Sequence, residues 1–356
     1  VRYQRLNALI GRRWHADRGV DLAGLKQITK AAVERHRLHV GRRLIRRHVL
    51  VAVDDECNLA QIDTVLGRQD APRPDPRRHS IRPHPDLATV GGIVATNDSG
   101  PRRHRYGAPR DLILGVTFVR ADGEIASAGG IVVKNVAGYD LSKLLTGSFG
   151  SLGVILEATF KLAPLPLGSR TAVAKGLDSV TVGKAVSAVT ASQLVPSALE
   201  VQGPPFSLLA RFEGSQHASE RQAVEVVNLW HRCGVKSSIL TGSAEVECWR
   251  YHHDIIWGGV GDVCRLGLLQ TDIPEILDKL SILLRRHGSD GCVVGRAGIG
   301  VLHARLGTDA GVSKLIVEEL RSMLASSAGY VVLLRGTPEL RANIDAWGPL
   351  GDAKRV

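Results

Sequence analysis

Two glycine-dense segments constrain this chain more than any other feature. The first is ATVGGIVATNDSGPRRHRYGAPRD, Ala88–Asp111, and the second is GGIVVKNVAGYDLSKLLTGSFGSLGVI, Gly129–Ile155. Glycines at 91, 92, 100 and 107 let the backbone approach a ligand where a Cβ would collide. Thr89, Thr96, Asn97 and Ser99 add hydrogen-bonding groups, and successive turn amides can form an anion nest for a pyrophosphate. Gly147, Gly150 and Gly153 recur at every third position and run into an apolar strand. Neither segment is a dinucleotide fingerprint or a P-loop: no G-x-G-x-x-G joins a strand to a helix, and no G-x-x-x-x-G-K-[ST] occurs. Taken singly, each segment also reads as tight turns between strands.

The surrounding chain is that of an ordinary globular protein. It has 356 residues, 44% hydrophobic and 23% charged, enough for about two domains with buried cores. No stretch approaches the roughly 18 apolar residues of a membrane span, and no long apolar run follows the basic start VRYQRLNALIGRRW, so neither a span nor a signal peptide is expected. Peripheral membrane association stays open. Five cysteines, odd in number and without a C-x-x-C pair, point to free thiols in the cytoplasm. The net charge of +11 lies wholly in residues 1–110, with 22 Lys/Arg against 11 Asp/Glu; the rest balances 24 against 24. Arginine pairs without interleaved aromatics predict a solvated basic surface and no nucleic-acid partner. A basic nucleic-acid module is the alternative, and it requires affinity that falls steeply with salt.

The pattern predicts an α+β protein. Strands are expected at Val49–Asp54, Leu112–Val119 and Gly153–Leu162, with a helix from Asn58 through Leu66 and a hairpin at Asp122-Gly123. DAPRPDPRRHSIRPHPD demands an extended, irregular path. Pro164, Pro166 and Gly168 suggest a boundary. Beyond it, strands are expected at Phe206–Phe212 and Val263–Leu269, and a capping-box helix from Asp272 to Arg286, stopped by Gly288. A strand pair follows over Gly291–Leu306, then an amphipathic helix at Val312–Leu324 and a buried strand at Tyr330–Leu334. These units predict a ferredoxin-like cap, and no internal repeat is visible.

The two segments together resemble the FAD-binding subunits of glycolate oxidase, within the vanillyl-alcohol-oxidase/p-cresol-methylhydroxylase (PCMH) flavoprotein superfamily. The resemblance is near-continuous over Ala88–Pro166, through RDLILGVTFVRADGEI and KNVAGYDLSKLLTGSFGSLGVILEATFKLAPLP. It continues more weakly in LLARFEG, GRAGIGVLHARL and IDAWGPLG. It implies a two-subdomain PCMH-type FAD-binding domain over residues 1–166 (1–80 matching poorly, 88–166 well) and a C-terminal cap over 167–351, with the flavin between them. Gly91, Gly92, Ala95, Thr96, Asn97, Ser99 and Gly100 are the residues it places along the cofactor. Tyr106, Gly107, Arg110 and Asp111 close that segment, and Gly153, Val154 and Ile155 present backbone to FAD. Lys134 and Tyr139 would lie near the flavin ring. Lys134 carries two readings, stabilising charge on reduced flavin or making a structural ion pair with Asp140 or another acid.

The departures from the family pattern matter too. The basic R-G-G-G-T phosphate loop that opens the family domain is replaced by RLNALIGRRWHADRG, and the closing F-D-P element is missing. An H-x-G-D-G-N-x-H metal motif has as its counterpart Arg296–His303, where only His303 remains, so no metal is expected. The resemblance therefore implies an auxiliary flavin subunit of a complex oxidising small 2-hydroxy acids. Its partners would be a catalytic flavin subunit and an iron–sulfur subunit, since no cysteine cluster holds Fe–S centres here. The alternative within the family is a catalytically impaired remnant that has lost FAD along with its phosphate loop.

Overall fold

The computed structural model describes residues 90–130, 139–161, 163, 166–327 and 329–349, together with the backbone of 45–46 and 49–53. They form two compact units, the first ending at Ala163 and the second beginning at Pro166. The predicted helix from Asn58 and the proline-rich run lie outside the described residues.

In the first unit, β1 (Ile45–Arg46), β2 (Val49–Val53), β3 (Ile113–Val119), β4 (Ile125–Gly129) and β5 (Val154–Lys161) make one antiparallel sheet, ordered β1-β2-β5-β3-β4. The expected Asp-Gly hairpin joins β3 to β4: Gly123 takes φ +84°, and Arg120 N donates to Glu124 O at 2.9 Å. Four short helical segments flank the sheet: α1 (Val90–Thr96), α2 (Arg103–Tyr106), α3 (Pro109–Leu112) and α4 (Leu141–Leu145). Leu112, expected in a strand, ends α3, because Pro109 fits the first helical turn. Val90, Ile93 and Val94 bury one side of α1 against Val116, Phe118, Ile155, Ala158 and Phe160.

The second unit is the expected ferredoxin-like α+β cap, and the structure adds that it is built from two such units. Its elements are β6 (Gly168–Leu177), α5 (Ser179–Thr190), β7 (Ala198–Gly203), β8 (Phe206–Gly214), α6 (Gln216–Arg232) and β9 (Ser237–Leu240). After α7 (Gly242–Trp257) come β10 (Val263–Gly267), α8 (Ile273–Arg286), β11 (Cys292–Arg296), β12 (Val301–Arg305), α9 (Ala310–Leu324), β13 (Tyr330–Arg335) and α10 (Pro338–Asn343). The eight strands run β13-β10-β12-β11-β7-β8-β6-β9. Each half is a β-α-β-β-α-β unit of the same order, and the two halves join edge to edge through β7 and β11. α5, α6, α8 and α9 pack on one face, where Trp230, Phe212, Leu208, Leu277 and Ile316 fill the main core. α7 lies on the other face, with Trp249 against Val173 and Leu209, and Ile256 against Val263 and Val294.

Two local expectations fail for physical reasons. The Asp272 carboxylate caps nothing, because Asp272 is itself helical and closes a 3₁₀ turn, Gln270–Asp272, that leads into α8. Tyr330, placed in a buried strand, is 45% exposed because β13 is an edge strand. Gly288 ends α8 as expected, with φ +60°. Cys264 on β10 is fully buried, and burial pushes its thiol up to about 12. A thiol reagent at pH 8 should therefore modify Cys264 at the rate of unfolding rather than within seconds; fast labelling in the folded protein would contradict this.

Candidate functional site

The two glycine-dense segments meet at the end of α1. Thr96 Oγ1 donates back to Gly92 O at 2.9 Å. Asn97 then leaves the helix with φ +50°, a left-handed conformation that asparagine tolerates better than most side chains. The 147–149 turn docks on this helix end: Gly147 N donates to Val94 O at 3.0 Å and Phe149 N to Ala95 O at 2.8 Å. Asn97 Oδ1 accepts from Arg110 N at 3.3 Å, bringing the α3 turn to the same place. Ala95, Thr96, Asn97 and Arg110 are thus gathered around Gly147–Phe149.

Other predicted residues sit apart from this junction. Asp111 Oδ2 accepts from Ala108 N at 2.7 Å, and a Cβ on Gly107 would lie 2.7 Å from Asp111 Cβ, so this pair closes its own turn. Tyr106, half-buried at the end of α2, has the Arg105 guanidinium 5.6 Å from its ring centre. A Cβ on Gly153 would meet Val119 O at 2.7 Å, which makes this glycine a strand-packing requirement. Val154 and Ile155 pair with Val119 and Phe118 on β3. Gly91 is buried and Gly92 half-buried in the first turn of α1, while Ser99 and Gly100 follow it half-buried. Lys134 lies outside the described residues. Tyr139 is 94% exposed. Asp140 caps α4 through Lys143 N at 3.2 Å and pairs with Lys143 Nζ at 2.9 Å. These bonds from Lys143 hold its carboxyl below the usual range.

A phosphate-bearing cofactor fits this junction on three observations. Ser148 Oγ is buried without a hydrogen-bond partner. The Asn97 amide nitrogen makes no hydrogen bond among the described residues. A Cβ on Gly100 would meet nothing within 4 Å, and one on Gly147 would touch only Asn97 Cβ at 3.6 Å. Donors, an orphaned hydroxyl and open space beside glycine backbone are what an anionic ligand requires. Sequence reasoning missed Ser148, whose only signal was its place between Gly147 and Gly150.

In the second unit, His303 Nδ1 stands 3.2 Å from Arg296 Nη1, both residues being 7% exposed. An arginine can only donate, so Nδ1 accepts and the imidazole proton sits on Nε2. His252 and His253 fall on α7. His252 is buried, with Nε2 3.1 Å from Glu200 Oε2 and Nδ1 2.9 Å from Gln202 Oε1, whereas His253 faces Asp254 at the surface.

Comparison with known proteins finds similarity over part of the first unit. Residues 81–140 match the FAD binding domain family. The chain is 37% identical over 123 residues to glycolate oxidase subunit GlcD of Bacillus subtilis, covering 35% of this chain and 26% of that protein. It is 39% identical over 132 residues to glycolate oxidase subunit GlcE of Escherichia coli, covering 36% of each. The match thus spans about a quarter to a third of these relatives. A solved alkyldihydroxyacetonephosphate synthase shares the fold, with TM-score 0.56 and 14% identity over 80% of this chain and 60% of that one. Residues 81–140, which carry the first glycine segment and Asn97, are thus similar to a family described as an FAD binding domain, and the chain shares its fold with the solved synthase.

Proposed function

We propose that this chain is an FAD-linked oxidoreductase acting on small 2-hydroxy acids, and that it serves as an auxiliary flavin subunit of a glycolate-oxidising complex. The observation that carries the reading is the junction of α1 with the 147–149 turn, where Ser148 Oγ and the Asn97 amide have no hydrogen-bond partner among the described residues. The junction falls within the stretch that resembles the glycolate oxidase subunits. In this reading residues 1–166 form the cofactor domain and 167–351 the substrate cap. Gly91, Gly92, Ala95–Asn97, Ser99 and Gly100 line the cofactor, with Tyr106, Gly107, Arg110, Asp111 and Gly153–Ile155 around them. Bound FAD supplies a two-electron acceptor for the substrate α-carbon.

The protein's own residues bind and orient. Asn97 and Ser148 donate to phosphate oxygens, and the glycines at 100 and 147 keep side chains out of the cofactor's path. Lys134 and Tyr139 belong to the flavin-ring end. A catalytic flavin subunit and an iron–sulfur subunit would complete electron transfer. The likeness to both GlcD and GlcE supports such an assembly. A cytoplasmic location agrees with the four described cysteines, all free thiols. No described helix is long and apolar enough to cross a membrane.

The test is a visible spectrum of the purified chain after incubation with FAD and gel filtration. A retained flavin band, bleached anaerobically by glycolate, is expected for the protein or its complex. A folded but colourless protein would favour the impaired-remnant reading, which the missing phosphate loop motivates. Gly100→Val gives a sharper prediction. Its side chain enters open space, so thermal stability should hold while FAD affinity falls by about tenfold, roughly 1.4 kcal/mol. Unchanged affinity in an FAD titration would remove Gly100 from the cofactor path.

A further inference from the structure

Most buried charge on the second unit is already answered. Arg211 has Glu213 and Glu245 at 3.6 and 3.3 Å. Arg335 donates to the carbonyls of Gly261 and Gly259, each at 2.8 Å, and Arg305 reaches Asp290 at 3.3 Å. Arg265 differs. It stands half-buried on β10, its Nε is enclosed without a hydrogen-bond partner, and no described carboxylate pairs with it.

Strand register places this arginine in specific company. Arg265 lies opposite His303 on β12, on the sheet face that also carries α7. His303 in turn holds Arg296 from β11 at 3.2 Å. On the other side, the Tyr330 ring lies 5.8 Å from the Arg265 guanidinium. That ring rests on Gly267, where a Cβ would lie 2.3 Å from Tyr330 Cε1, so the glycine makes room for it. Because β13 is the edge strand and Tyr330 is 45% exposed, this end of the face is open to solvent. Two guanidinium groups, one imidazole and a phenol ring therefore share adjacent strands, and no described carboxylate pairs with Arg265.

We propose that Arg265 is the anchor of a carboxylate-binding site on this face, taking a small 2-hydroxy monocarboxylate beside His303 and Tyr330. A guanidinium presents a planar fork that matches a carboxylate, and its strength grows where water is partly excluded. The stacked tyrosine restricts the guanidinium without consuming its N–H donors. Arg296 fixes His303 as the Nδ1 acceptor, leaving the ring proton on Nε2. The carboxylate follows from Arg265 itself; the 2-hydroxyl rests on the functional reading given above.

The experiment is calorimetric titration of glycolate, and separately of its neutral methyl ester, into the full chain without added FAD. Expected is saturable binding of glycolate but not of the ester. Arg265→Met should weaken glycolate at least tenfold, and Arg265→Lys, which keeps the charge but loses the fork, should fall between. Circular dichroism establishes that both variants fold, and a normal Arg265→Lys fold keeps the comparison valid if the methionine variant fails. Equal binding by wild type and either folded variant, or equal binding of acid and ester, overturns the proposal. So does displacement of glycolate by equimolar chloride. Flavin retention is measured on the same samples. Arg265-dependent glycolate binding without flavin retention would sink the functional reading and leave this site standing; flavin bleached by glycolate with equal affinity in Arg265→Met would do the reverse.

Discussion

Glu245→Ala should destabilise the second unit by about 3–5 kcal/mol, because it removes one partner from a buried charge network. Glu245 is 3% exposed on α7, and its Oε1 lies 3.3 Å from Arg211 Nε. It also accepts from Thr171 Oγ1 at 2.8 Å and Ser169 Oγ at 2.9 Å. The Trp249 indole donates to that same Thr171 hydroxyl at 2.9 Å, so one carboxylate ties α7 to β6 and β8. Truncation leaves Arg211 with Glu213 at a longer 3.6 Å and strands two hydroxyl donors. Glu245→Gln keeps an acceptor for the hydroxyls while losing the charge, so its cost should be about half as large. Urea unfolding followed by tryptophan emission measures this well, since four of the five tryptophans, at 230, 249, 257 and 347, belong to this unit. A loss under about 1 kcal/mol for the alanine variant would show that water replaces the carboxylate and that the network contributes little.

Trp230→Ala should cost a similar amount, about 3–5 kcal/mol, by a different mechanism. Its side chain on α6 is completely buried, and Nε1 donates to Ala185 O on α5 at 3.2 Å. It packs in the core between these helices and the sheet, near Val186, Val189, Phe212 and Val226. Removing it opens a cavity too enclosed to collapse and deletes the bond that joins the two helices. Trp230→Phe retains most of the volume, so its loss should be well below that of alanine. If phenylalanine and alanine prove equally destabilising, the indole hydrogen bond rather than the volume is the important contribution.

Local chemistry made much of the fold legible. An Asp-Gly pair demands a tight hairpin, and the structure forms it at Gly123. Alternating or continuous apolar runs located β2, β3, β5, β8, β10 and β13 to within a residue or two of their ends. The glycine segments were readable as tight backbone with room for a ligand, though each by itself reads equally as turns between strands. The doubled cap was not readable. Its two halves share strand order and connectivity, and that likeness constrains only where apolar faces fall, leaving residue identity free to diverge.

The site divides in the same manner. Asn97 and the glycines were visible because their conformational demands are local. Ser148 was not, since its hydroxyl matters only once Gly147 and Phe149 dock on α1. Gly107 and Gly153 were expected along the cofactor for their backbone, and the structure adds that their missing side chains make room for Asp111 and for the Val119 carbonyl.

The sequence by itself thus determined the turns, the strand runs and the glycine-dense backbone, because each is set by dihedral preference and by hydrophobic period over a few residues. Only the tertiary structure decided which charges are matched. Arg211 meets Glu245 across 34 positions of sequence, and Arg265 faces His303 with no carboxylate pairing among the described residues. Electrostatic pairing depends on distances between strands and helices far apart in the chain, and no local pattern encodes those distances.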